Sequence, residues 1–169
     1  MTNKKLFLAE LIGLIWGVLA SFLFHFLYDL TNQNIIISLI APINESVWEH
    51  TKLLVFPFLI YAVIECFVLK PKHCDDFWST KLIGVTLNIP LLAIIYYSYS
   101  GVLGEHFVVI DIIIALILVT FSYFISYKLL SLNHKFKHKK IIVYLGLTII
   151  FAFFVFTFYP PHIGWFASV

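Results

Sequence analysis

The sequence predicts an all-α integral membrane bundle of five transmembrane helices, over about 6–28, 45–69, 77–99, 107–130 and 141–159. Apolar runs of about twenty residues recur along the chain, the length a helix needs to cross the hydrocarbon core. Hydrophobic residues make up 62% and charged ones 12%, with a mean hydropathy of +0.99, which no soluble domain matches. Polar segments containing Pro, Lys or Gly separate the runs. The 169 residues leave no room for a soluble unit, so the chain is expected to be a single transmembrane domain, 1–169.

The first run follows Lys4 and Lys5. It is too long for a signal-peptide core and lacks a small-residue cleavage site, so it reads as a mature helix. Gly13, Gly17, Ser21, His25 and Asp29 recur every four residues, forming a winding stripe whose small members invite close helix packing. Residues 34–41 are apolar but too short to span, and predict an interfacial or re-entrant piece stopped by Pro42. The second helix opens near Asn44–Ser46, holds Pro57 as an expected kink, and ends at Lys70-Pro71. A tight polar loop is expected over Lys72-His73-Cys74-Asp75-Asp76. The third helix carries Asn88 near its centre. Pro90 cannot donate to the carbonyl of Thr86, which leaves an acceptor near Asn88. A short loop, Gly101 to His106, precedes the fourth helix, with Asp111 in its first turn. The basic stretch 133–140 precedes the fifth, and the chain then runs through Pro160-Pro161-His162. No internal repeat is visible, which weakens an inverted-repeat transporter reading.

Lysine placement sets the expected orientation. The amino terminus, the 70–76 loop and the 131–140 loop are lysine-rich, whereas 29–49, 100–106 and the tail hold none. The positive-inside rule then predicts a multi-pass cell-membrane protein with a cytoplasmic N-terminus and an extracellular C-terminus. Cys66 and Cys74 fall on the cytoplasmic side and are expected to be reduced. All eleven basic residues are Lys, which argues against nucleic acid as a partner and leaves the lipid bilayer as the surroundings.

This topology gathers ionisable groups at one leaflet. His25, Glu45, Glu49, His50, Lys52, Asp111 and His162 come from four helices, with Asn44 and Asn88 as further polar lining. Glu45, Glu49 and Lys52 are spaced to share a helix face, and His50 is turned about 100° from Glu49. A structural account covers part of this. Ser46-Val47-Trp48-Glu49 is a capping box, and Lys52 can pair with Glu49 while reaching outwards. It leaves His25, His50, Asp111 and His162 unexplained, and imidazoles with a carboxylate suit a divalent metal such as zinc, or iron or manganese with more oxygen ligands. Neither H-E-x-x-H nor Glu-x-x-His is present. The expectation is that His25, Glu49 or His50, and Asp111 converge to within one metal or water bridge, roughly 4–7 Å, with His162 above them.

Asn44-Glu45-Ser46-Val47-Trp48-Glu49-His50-Thr51-Lys52, together with Pro160-Pro161-His162 after the last helix, resembles a family of small multi-helix bacterial membrane proteins of unknown function. The resemblance covers nearly the whole chain. It implies an integral membrane protein and brings no activity with it.

The leading functional expectation is a membrane-embedded enzyme with an outward-facing polar site, a metal-dependent hydrolase or acyl-transfer enzyme acting on a lipid-linked or amphipathic substrate. His25, His50, Asp111 and His162 would hold metal or do base chemistry, Glu45 or Glu49 would be the general acid/base, and Lys52 would stabilise developing negative charge. A transporter or an ion- or proton-binding protein is the alternative, and a scaffold with an acidic outer rim is the third.

Overall fold

The computed structural model describes residues 3–71 and 74–168. Six helical segments follow one another: α1 (Asn3–Leu30), α2 (Val47–Leu69), α3 (Cys74–Thr86), α4 (Asn88–Leu103), α5 (Val108–Ser131) and α6 (Lys139–Phe158). With α3 and α4 taken as one stretch, five helices among the described residues are long and apolar enough to cross a membrane. Chain connections place His25, Glu45, His106 and His162 at one end of the bundle, here the histidine end. Lys5, Lys70, Lys128 and the 135–140 lysines lie at the other, the lysine-rich end.

Helix α2 is the centre. It packs against α1, α3, α4 and α5 and is apolar on every side, as a helix surrounded by others must be. Ser46 rather than Glu45 precedes it, with extended backbone and its Oγ accepting from the Glu49 amide at 3.2 Å. The N-cap begins α2 two residues later than the spacing predicts. Pro57 has no N–H for the carbonyl of Leu53, and Ser21 of α1 fills that gap with an O–H bond of 2.6 Å. Trp16 Nε1 donates to the Pro57 carbonyl at 3.0 Å, so the proline site is stitched to α1 by two side chains.

The glycine stripe of α1 lies against tyrosines. A Cβ on Gly13 would sit 2.5 Å from ring atoms of both Tyr61 and Tyr123, and one on Gly17 2.8 Å from Tyr123. Each four-residue step rotates the stripe by about 40°. Asp29, four steps from Gly13, has therefore drifted to the exposed side.

The predicted third helix stands as one apolar stretch, Cys74–Leu103, with an irregularity at Leu87 between α3 and α4, where Pro90 has no N–H for the Thr86 carbonyl. Three other sequence expectations are corrected. Asn88 does not serve the Thr86 carbonyl. Its Nδ2 crosses to α5, donating to Leu118 O at 2.7 Å and Ser122 Oγ at 2.5 Å. Cys74, Asp75 and Asp76 are the first turn of α3, where carboxylates suit the helix dipole, and Lys72 and His73 lie outside the described residues. The 34–41 piece is reduced to one 3-10 turn, Ile37–Leu39, with Ser38 buried and Ile35 and Ile36 exposed. Beyond α6 the tail folds back. Trp165 and Phe166 pack on Trp48, which also meets Phe153 and Phe156, at centroid distances of 4.7–5.5 Å, and Ser168 bridges Ser46.

Candidate functional site

Three side chains meet at the histidine end. His25 comes from α1 and His50 from the first turns of α2, and their Nε2 atoms lie 3.3 Å apart. Glu45, in the turn before the N-cap, places Oε2 at 3.3 Å from His50 Nε2 and 3.9 Å from His25 Nε2. Because Glu45 precedes Ser46, it is outside the helix and shares no helical face with Glu49 and Lys52. The His50 Nδ1 lies 2.9 Å from the Ser46 carbonyl, which holds the ring as the Nδ1–H tautomer and leaves the Nε2 lone pair facing His25. One polar chain segment thus orients both the imidazole and the carboxylate.

These groups rim a cavity of about 260 Å³ between α1, α2, α4 and α5. Its mouth also carries Tyr96, His106 and Asp111, while its floor is apolar, with Val18, Leu54, Leu92 and Val119. Asp111 is fixed on the far side of the mouth. It accepts from the Tyr99 hydroxyl and pairs with His106 Nδ1 at 3.1 Å. Asp111 therefore shares the cavity with His25 and His50 but is engaged by Tyr99 and His106.

The other predicted residues go elsewhere. Glu49 points away from the cavity, accepting from Lys52 Nζ at 2.6 Å and from the Ile43 amide at 3.0 Å. Lys52 does not reach outwards. It is fully buried and also donates to Ser38 O at 2.8 Å and Thr157 Oγ1 at 2.7 Å, tying the 3-10 turn and α6 to α2. Neither residue lines the cavity, because around α2 Glu49 is turned about 100° and Lys52 about 200° from His50. His162 is exposed in the bend after α6, where the tail turns towards Trp48, and does not cover the histidines. Asn44 accepts from the Ser46 amide at 2.9 Å, forming the turn that sets up the cap.

A second buried centre lies at the lysine-rich end; the sequence suggests that Glu65 there pairs with a lysine or stays protonated, but marks neither Lys81 nor Glu10 as its partner. Lys81 of α3 lies between Glu10 of α1, at 2.9 Å, and Glu65 of α2, all three shielded from solvent. A lysine in the middle of an apolar run has to find a counter-charge, and that was the available signal. Tyr99 and His106 were likewise overlooked as partners of Asp111.

A family model, the DUF6512 family of unknown function, matches residues 2–169. The chain belongs to this family. No curated protein and no solved structure matches it. The family's function is unknown, so membership assigns no reaction.

Proposed function

We propose that His25, His50 and Glu45 form a metal site, of zinc type, at the mouth of an apolar cavity that takes one chain of an amphipathic substrate for hydrolysis or acyl transfer. The observation that carries the reading is the spacing of the three ligand atoms. Zinc bonds of about 2.0–2.1 Å in a tetrahedron put neighbouring ligand atoms about 3.3 Å apart. The distances here are 3.3, 3.3 and 3.9 Å, and a two-histidine, one-carboxylate set leaves a fourth position for water. Bound there, the ion would supply an activated water and polarise a carbonyl.

The chain's own residues supply the rest. Ser46 holds His50 in its tautomer through a backbone carbonyl. His106, oriented by Asp111, is placed across the mouth to carry a proton to or from the reacting group, and Tyr99 holds the carboxylate. The apolar floor among Val18, Leu54, Leu92 and Val119 suits an alkyl chain, whose polar head then stays among the histidines. Glu49 and Lys52 have no place in this chemistry.

The test is metal content after purification in detergent and incubation with zinc. About one equivalent per chain, lost in His50→Gln and Glu45→Gln with the fold retained, supports the site. Equal metal in wild type and in a His25→Gln/His50→Gln variant overturns it. Orientation is proposed from the lysines. The lysine-rich end faces the cytoplasm, so the exposed Cys74 should react with an impermeant maleimide only after permeabilisation. Labelling in intact cells would reverse the sides.

A second reading has its own support. From Asn88 of α4, a polar line passes to Ser122 and along α5 to Ser126, which meets Glu10, and supplies polar groups midway through the bundle. An ion- or proton-binding role rests on that line.

A further inference from the structure

Glu10, Glu65 and Lys81 are about 6–10 Å inside the helix ends at the lysine-rich side, given a rise of 1.5 Å per residue. Their side chains are 5%, 0% and 0% exposed. Lys81 Nζ donates to Glu10 Oε1 and Glu65 Oε2, and Ser126 Oγ donates to the same Glu10 oxygen at 2.5 Å. Phe58 and Phe77 cover the ammonium with ring centroids 5.4 and 5.3 Å away. Among the described residues, each carboxylate keeps one buried oxygen with no partner, Glu10 Oε2 and Glu65 Oε1, and the buried Tyr123 hydroxyl is also unpartnered.

The charges do not balance. Two ionised carboxylates against one ammonium leave one negative charge in an enclosed site. The elements around it offer no second cation among the described residues. On α2 the ionisable neighbours are the Cys66 thiol and Tyr61, whose hydroxyl already donates to Ala9 O at 2.6 Å, and neither is a cation. On α5 there are Tyr123 and Tyr127, and on α1 Lys5 donates to Val68 O at the exposed helix end. An uncompensated buried charge is costly, and a free carboxylate oxygen is where a proton removes it. A metal cation would need several more oxygen ligands than the two orphaned ones.

An access route stands beside the triad. A cavity of about 490 Å³ opens at the lysine-rich end between Lys5, Lys70 and Lys135. Its floor includes Leu69, one turn from Glu65, and Phe77, one turn from Lys81. Both are buried, so a single layer of side chains separates the cavity from the carboxylates.

We propose that the Glu10–Lys81–Glu65 triad is a binding site for one exchangeable proton, held between the two carboxylates and reached through the cavity above Leu69 and Phe77. A buffer acid or hydronium at the lysine-rich end gives up the proton, its bond to hydrogen breaking as the carboxyl O–H bond forms, and the reverse transfer returns the proton to the conjugate base or to water. This site is independent of the histidine cluster and stands whether or not that cluster binds metal.

Infrared spectroscopy of the full chain in lipid nanodiscs tests it. At neutral pH the wild type should show one protonated-carboxyl C=O band that shifts in D₂O. Either Glu10→Gln or Glu65→Gln should abolish the band, because one carboxylate and Lys81 then balance. Lys81→Met should double it, and where that variant does not fold, the two near-isosteric Gln variants decide alone. Phe77→Ala should speed the D₂O shift. Absence of the band in wild type, or its survival in both Gln variants, overturns the proton site. An unchanged exchange rate in Phe77→Ala overturns the route.

Discussion

Lys52→Met removes the one charge that holds Glu49 inside the bundle. In the wild type, Lys52 is fully buried and donates to Glu49, Ser38 and Thr157. Met fills nearly the same volume, so packing changes little. What remains is a buried carboxylate whose only hydrogen-bond donor is the Ile43 amide, with a bare Ser38 carbonyl beside it. Breaking a buried pair from one side costs about 3–5 kcal/mol. For a chain of this size that corresponds to a fall in Tm on the order of 10 °C. Glu49→Gln should cost a similar amount, since it leaves the ammonium without a counter-charge even though Gln can still serve the capping box. The double variant should recover about 2–3 kcal/mol of the summed loss, the signature of a direct pair. Thermal unfolding followed by tryptophan fluorescence reads this, because Trp48 is buried against Phe153 one turn from Lys52. Single variants as stable as wild type, or a double variant losing the full sum, would refute the buried-pair account.

Other substitutions separate packing from chemistry. Gly13→Ala should destabilise by about 1–3 kcal/mol through contact with Tyr61 and Tyr123. Gly101→Ala, in a helix with nothing near its Cβ, should instead gain about 1 kcal/mol from helix propensity, and thermal melts of the two compare them directly. Ser46→Ala should cost about 1 kcal/mol by uncapping α2, also read by melting. Ser21→Ala strips the donor from the Leu53 carbonyl freed by Pro57, and should cost about 1–3 kcal/mol in the same assay. Metal binding competes with protons for both imidazoles, so zinc affinity measured by calorimetry should weaken as pH falls.

The helices were legible in the sequence because their cause is local. Backbone groups in hydrocarbon must be paired within the segment, so a run of apolar residues of sufficient length has few alternatives to a helix. The cap at Ser46 and the packing of Gly13 and Gly17 follow from the residues alone, because a capping box and a small-residue stripe are local patterns. The depth of His25, His50 and Asp111 was also legible, since one helix end follows another by simple counting.

Rotation and partner choice were not. Glu49 and Glu45 are both four-residue neighbours on paper, yet the N-cap sets Glu45 free to reach the histidines and turns Glu49 into the protein. Lys52 and Lys81 each sit in an apolar run, and which carboxylates meet them depends on where α1, α3 and α6 lie around α2. His162 follows the tail, whose course is decided by the aromatic surface of Trp48 rather than by the charge nearby. The sequence by itself determined which segments are long and apolar enough to cross a membrane and which residues share a depth, because hydrophobicity and backbone pairing act within a segment. Only the tertiary structure decided which of those residues touch, because a buried charge is placed by whatever neighbouring helix can neutralise it.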